Sequence, residues 1–108
     1  MSESPSTVVL RALEGSPMRD PQVRRIVESM AHAIAERNGV HLVELRVADD
    51  HVLATLEVNR LAALGFAAEL RRLTTAWHRA REPDAPPLWG DPRSEPPEEE
   101  DEADWWKR

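Results

Sequence analysis

Residues 40–59 read VHLVELRVADDHVLATLEVN, and this stretch decides the fold. Apolar and polar side chains alternate on both sides of Asp49-Asp50, with the two-residue period of a half-buried β-strand. A two-residue turn at these acids brings six apolar side chains onto one face in three cross-strand pairs: Val47 with Val52, Leu45 with Ala54, and Val43 with Leu56. The sequence therefore predicts a β-hairpin with one face that must be covered.

A helix is predicted on each side of this hairpin. Asp20 can accept a hydrogen bond from an early helical N–H and Pro21 suits the first helical position, so the upstream helix begins there and ends at Asn38-Gly39. Its apolar residues recur at helical spacing: Val23, Ile26, Val27, Met30 and Ile34. Asn59 can cap a longer helix that reaches about Arg81. The apolar stripe of this second helix consists of Ala63, Phe66, Leu70, Leu73 and Trp77.

The order of these elements predicts the α+β class, as a small α-β-β-α domain (helix, β-hairpin, helix) over residues 20–82. We expect residues 1–19 to form a flexible N-terminal segment with a short apolar patch, and residues 83–108 to form a Pro-rich, acidic, disordered tail. The order is loosely similar to parts of KH-like modules and of small secretion-chaperone-like domains. The GXXG loop of KH modules is absent, so no family is claimed.

The strand edges of a lone hairpin need partners, because two isolated strands are only marginally stable in water. We expect a homodimer in which hairpins from two copies pair edge to edge. The alternative is that Val8-Val9-Leu10 adds a third strand within one chain.

The net charge of −6 over 108 residues is concentrated near the end of the sequence. Residues 1–82 carry 11 arginines against 11 acids, whereas residues 83–108 carry nine acids against three basic residues. The acidity therefore belongs to the predicted tail.

No known catalytic or metal-binding pattern is present. The sequence has no cysteine, its four histidines lack a paired ligand spacing, and its four glycines form no phosphate-binding loop. We therefore expect no enzyme activity, no cofactor and no metal. The sequence also lacks the 18 or so consecutive apolar residues of a membrane span, so we expect no membrane partner and a cytoplasmic location.

Tryptophans in the tail give the strongest functional signal, because disordered segments are normally poor in aromatic residues. They predict a non-enzymatic adaptor whose tail docks on a basic, grooved surface of another protein, with the indoles buried and the acids steering the approach. The predicted partner-binding residues are Trp89, Trp105, Trp106, Glu99, Glu100, Asp101 and Glu102. For Trp89 an alternative is that it folds back and caps the domain's core.

A second interpretation assigns the chain to nucleic acid. The second helix carries Arg71, Arg72, His78 and Arg79, which could contact phosphates while the acidic tail acts as an autoinhibitor. The charge balance of residues 1–82 makes nucleic acid the less favoured partner, because nucleic-acid modules usually carry a basic patch.

Overall fold

The computed structural model describes residues 5–90 and has the predicted α+β class. Two helices cover one face of a three-stranded antiparallel sheet. The elements are β1 (Ser6–Arg11), α1 (Pro21–Arg37), β2 (Leu42–Val47), β3 (His51–Leu56) and α2 (Arg60–Arg81), with a single turn of 3-10 helix at Pro17–Arg19 before α1. Neither helix in this part of the chain is long and apolar enough to cross a bilayer.

The sheet has the strand order β1-β3-β2, so β3 is its central strand. Val8 pairs with Ala54 and Leu10 pairs with Val52, and all four side chains are buried. The prediction of a flexible segment over residues 1–19 is therefore wrong for residues 6–11. Of the two ways to satisfy the hairpin edge, the structure contains the third strand, which gives β3 a backbone partner on both sides.

The hairpin forms around Asp49-Asp50 as predicted, with Val47 opposite Val52 and Leu45 opposite Ala54. The third predicted pair is wrong, because Leu42 and not Val43 lies opposite Leu56, and the register shifts between Leu42 and Glu44. This bulge leaves the Val43 side chain 49% exposed and packs Leu42 against the core. The exchange buries the larger of the two side chains, which removes more apolar surface from water.

Both predicted helix starts are confirmed. The Asp20 carboxylate accepts from the backbone N–H of Gln22 at 2.9 Å, and the Asn59 side-chain oxygen accepts from the N–H of Ala62 at 2.8 Å. Gly39, after the end of α1, adopts the left-handed conformation with φ of 65°. Asp20 and Asn59 therefore set where the two helices begin, and Gly39 sets where α1 ends.

The helices run antiparallel over the sheet and are linked by two ion pairs. Arg37 at the end of α1 pairs with Glu69, and Arg81 at the end of α2 pairs with Asp20 at 3.0 Å. The two helices bury mainly apolar side chains: Val23, Val27, Ala31, Ile34 and Ala35 from α1, and Ala63, Phe66, Leu70 and Thr74 from α2. Ile26, Met30, Leu73 and Trp77, also predicted for these stripes, are half-buried.

Arg24 makes three hydrogen bonds, and two of them hold α1 to the hairpin. Its Nε donates to the carbonyl of Met18 at 3.2 Å, one terminal nitrogen donates to the carbonyl of Val47, and the other donates to Asp49 at 3.0 Å. One side chain therefore connects the start of α1, the end of β2 and the hairpin turn.

Replacing Leu10 by alanine tests whether β1 belongs to the core. We expect Leu10→Ala to lower the free energy of unfolding by about 2–5 kcal/mol, because it opens a cavity beneath a fully buried position. Leu13→Ala is the control, since Leu13 is 47% exposed and its loss is expected to change stability by about 0.5 kcal/mol or less. Urea unfolding measures both, and equal effects would contradict a structural role for β1.

Acidification tests the bonds of Asp20. The N–H of Gln22, and then Arg81, hold the pKa of this carboxyl below its ordinary value. Because the folded pKa is the lower one, the carboxylate stabilises the fold above its unfolded pKa of about 3.9, and this contribution is lost as pH falls through the folded pKa. Urea midpoints should therefore fall more for the native chain than for Asp20→Asn, which can still cap α1, between about pH 6 and about pH 2. Equal falls would refute this role.

Candidate functional site

Only one of the seven predicted partner-binding residues lies within residues 5–90. Trp89 is 5% exposed and, like Leu88, belongs to the core. The prediction of Trp89 as a free docking residue is therefore wrong, and its alternative as a cap on the core is confirmed. The other six lie outside the described residues: Trp105, Trp106, Glu99, Glu100, Asp101 and Glu102.

The indole of Trp89 is fixed by a buried polar contact with α2. Its Nε1–H donates to the hydroxyl oxygen of Thr74 at 2.8 Å, and this hydroxyl donates to the carbonyl of Leu70 at 2.6 Å. A buried indole N–H needs a hydrogen-bond partner, and Thr74, itself fully buried, provides it. The orientation of the Trp89 ring is thereby set.

Backbone hydrogen bonds attach the same segment to the end of β1. The N–H of Leu13 donates to the carbonyl of Leu88 at 3.1 Å, and the N–H of Gly90 donates to the carbonyl of Arg11 at 2.9 Å. Trp89 forms an antiparallel bridge with Ala12 between these two bonds. Residues 88–90 therefore continue the sheet beyond β1.

Residues 83–90, which we call the return segment, run back along α2. The Nε2 of His78 donates to the carbonyl of Pro86 at 3.1 Å, Trp89 lies on Thr74, and Arg71 donates to the carbonyl of Gly90 at 2.8 Å. Proline is disfavoured inside a helix, so Pro83 and its neighbours end α2 and favour an extended chain. The prediction of disorder is therefore wrong for the return segment, while residues 91–108 lie outside the described part.

The four residues predicted to contact nucleic acid separate into two pairs. Arg71 and His78 are half-buried and hold the return segment. Arg72 and Arg79 are exposed. Arg72 lies 3.9 Å from Glu69, and Arg79 has no ion-pair partner within residues 5–90. The structure therefore divides the four residues between two that hold the return segment and two that face solvent.

An exposed face of α2 combines apolar and basic side chains, and sequence reasoning missed its apolar half. Its members recur at intervals of three, four and seven residues, which places them on one side of the helix. Leu61 is 79% exposed and Leu64 is 47% exposed. We call this surface the outer face of α2, and it consists of Leu61, Leu64, Ala68, Arg72 and Arg79. The sequence could have indicated this exposure, because the helical spacing places both leucines outside the buried stripe of Ala63, Phe66 and Leu70.

The acids at the hairpin tip already have cationic or polar partners. Asp49 pairs with Arg24 at 3.0 Å and with Arg19 at 3.6 Å, and Asp50 is bonded to Nδ1 of His51 at 2.8 Å. The bond from His51 lowers the pKa of the Asp50 carboxyl. Over the described range, no three histidine or acidic residues are grouped in a way that could hold a metal ion.

No protein-family model and no curated protein matches this chain. The return segment fixes the chain at Gly90 on one side of α2, and the outer face of the same helix presents apolar and cationic groups to solvent.

A double-mutant cycle between Trp89 and Thr74 tests the fixation of the return segment. Trp89→Phe keeps an aromatic ring but removes the N–H donor, and we expect it to lower the free energy of unfolding by about 1 kcal/mol. Thr74→Val removes the acceptor. Urea unfolding of both single variants and the double variant should give a coupling energy of about 0.5 kcal/mol or more, since the residues are in direct contact. Additive effects would contradict the hydrogen bond.

Proposed function

We propose that this protein is a non-enzymatic interaction protein that presents an acidic, tryptophan-containing segment to a basic, grooved surface on another protein. The presented segment is residues 91–108, which we call the acidic segment. The observation that supports this proposal is the fixation of the chain immediately before it: Trp89 is buried, and Gly90 is hydrogen-bonded on both sides, to Arg11 and Arg71.

The composition of the acidic segment suits such a contact. Residues 98–102 are five consecutive acids, and Trp105-Trp106 follows three residues later. Carboxylates accelerate encounter with a basic surface, especially at low salt. Indoles supply affinity, because each buries about 150–250 Å² and tryptophan is enriched among the residues that dominate binding energy. In this proposal the acids steer the approach to the partner, and the two indoles supply the affinity. The acids are Glu99, Glu100, Asp101 and Glu102, and the indoles are those of Trp105 and Trp106.

The domain that precedes the acidic segment has no net charge. Residues 5–90 contain 11 arginines and 11 acids, whereas residues 91–108 contain eight acids and three basic residues, a balance of −5. Fixing the return segment shortens the chain that must be ordered on binding by eight residues. This lowers the entropic cost of association.

The nucleic-acid alternative is not favoured, because Arg71 and His78 already bind the return segment through carbonyl oxygens. The proposal includes the cytoplasmic location expected from the sequence, and a chain without cysteine is compatible with a reducing compartment.

Substitution of the two indoles tests the proposal. The full chain is immobilised on a solid support and incubated with an extract of the cells that produce it. It should retain a protein that the Trp105→Ala/Trp106→Ala variant does not retain. With that protein purified, we expect the double variant to raise the Kd about tenfold or more, since each buried tryptophan contributes about 1 kcal/mol or more. Leu13→Ala, which changes an exposed apolar residue elsewhere, is the control. Equal affinities for the native and double-variant chains would refute docking through the indoles.

Removal of residues 91–108 separates the two functional interpretations. We expect the shortened chain to lose the protein partner and to show no gain in binding to a fluorescent double-stranded DNA. An autoinhibited nucleic-acid module would do the opposite, and its gain in DNA affinity would weaken steeply with salt. Anisotropy titrations at low and physiological salt measure this difference.

A further inference from the structure

The return segment has a defined direction along α2. Its contacts move from His78 to Thr74 and then to Arg71 as the chain advances from residue 86 to residue 90. His78 and Arg71 are seven positions apart, which corresponds to about 10 Å of helix axis. The chain therefore leaves Gly90 beside α2, running antiparallel to it toward the helix N-terminus.

Two exposed leucines lie ahead along this direction. Leu64 is seven residues beyond Arg71 and Leu61 is ten residues beyond it, which correspond to about 10 and 15 Å of helix. Within residues 5–90 only four large apolar side chains are exposed, and Leu61 is the most exposed of them. Single exposed apolar residues are ordinary, but here two occur on adjacent turns of one helix face.

The charge on the same face is positive. Arg72 and Arg79 point outward, and Glu69, the only acid within α2, pairs with Arg37. Read from the C-terminal end of the helix, the outer face has Arg79, then Arg72, then Leu64 and Leu61. The acidic segment has the complementary order, with five acids at residues 98–102 before Trp105-Trp106.

The spacing of the two series also agrees. From Arg79 to Leu64 and Leu61 the helix axis covers about 22 and 27 Å. An extended chain covers about 23 and 26 Å from Glu98 to Trp105 and Trp106. An antiparallel segment can therefore place acids beside both arginines and indoles beside both leucines at the same time.

We propose that the outer face of α2 binds residues 98–106 of the same chain, with the acids on Arg72 and Arg79 and the indoles on Leu61 and Leu64. The chain length permits this contact, because residues 91–97 span up to about 25 Å and the level of Arg79 lies about 12 Å behind that of Arg71. A short tether gives an effective concentration in the millimolar range, so the contact forms within one molecule.

This contact concerns the isolated chain and is separate from the proposed function. The outer face of α2 and the groove of the partner would then bind the same segment, so the partner must compete with the outer face for it. Failure of the intramolecular contact would leave partner binding intact, and failure to find a partner would leave the contact intact.

A spin label tests the contact directly, because the chain has no cysteine and Ala103→Cys creates one attachment point. In the isotopically labelled full chain, we expect the amides of residues 61–68 to lose about half or more of their intensity relative to the reduced label. The amides of Asp49 and Asp50 at the hairpin tip should be unaffected. In about 1 M salt, where the Debye length is about 3 Å, the loss should shrink.

Matched surface variants identify the binding face. Leu61→Ser/Leu64→Ser should abolish the intensity loss, whereas Leu13→Ser, at the same 47% exposure as Leu64, should leave it unchanged. All substituted side chains are exposed, and the amide spectrum verifies that each variant is folded. Unchanged loss in the double variant, or broadening centred on the sheet, would overturn the proposal. Broadening in isotopically labelled chains mixed with spin-labelled unenriched chains would also overturn it, because the contact would then join two copies.

Discussion

The pairing of β1 with β3 is the interaction on which the rest of the structure depends. A hairpin alone leaves both strands with an open edge and too little apolar surface to hold two helices. Strand β1 gives β3 a second partner and adds Val8 and Leu10 to the core. Its end also provides the backbone groups of Arg11 and Leu13 that bind residues 88–90. The position of Trp89, and thus the point where the acidic segment begins, follows from a strand near the start of the sequence.

The features that sequence reasoning predicted correctly are those governed by neighbouring residues. Asp20, Asn59 and Gly39 set helix ends through contacts within four residues or through backbone conformation. The alternation around Asp49-Asp50 likewise fixes two of the three predicted hairpin pairs. Such patterns can be interpreted from the sequence alone, because the partner of each group lies close along the chain.

The features that sequence reasoning missed, or gave only as alternatives, depend on distant partners. Strand β1 pairs residues more than 40 positions apart, such as Leu10 and Val52. The sequence around Val8 does not indicate which strand it pairs with. Trp89 lies among prolines and acids whose composition predicts disorder, yet Thr74 and Ala12 together give its indole and backbone partners. At the candidate site, sequence reasoning does not identify Leu61 and Leu64 as exposed. Their exposure follows from the position of the buried stripe on a different side of α2.

The bulge at Val43 has a consequence for how copies of this protein meet. Strand β2 lies at the edge of the sheet, where a regular strand would offer a template for pairing with another molecule. The register shift interrupts the even spacing of its outward N–H and C=O groups, and Arg24 already occupies the carbonyl of Val47. The irregularity therefore makes β2 a poorer template than a regular strand for growth of the sheet from molecule to molecule.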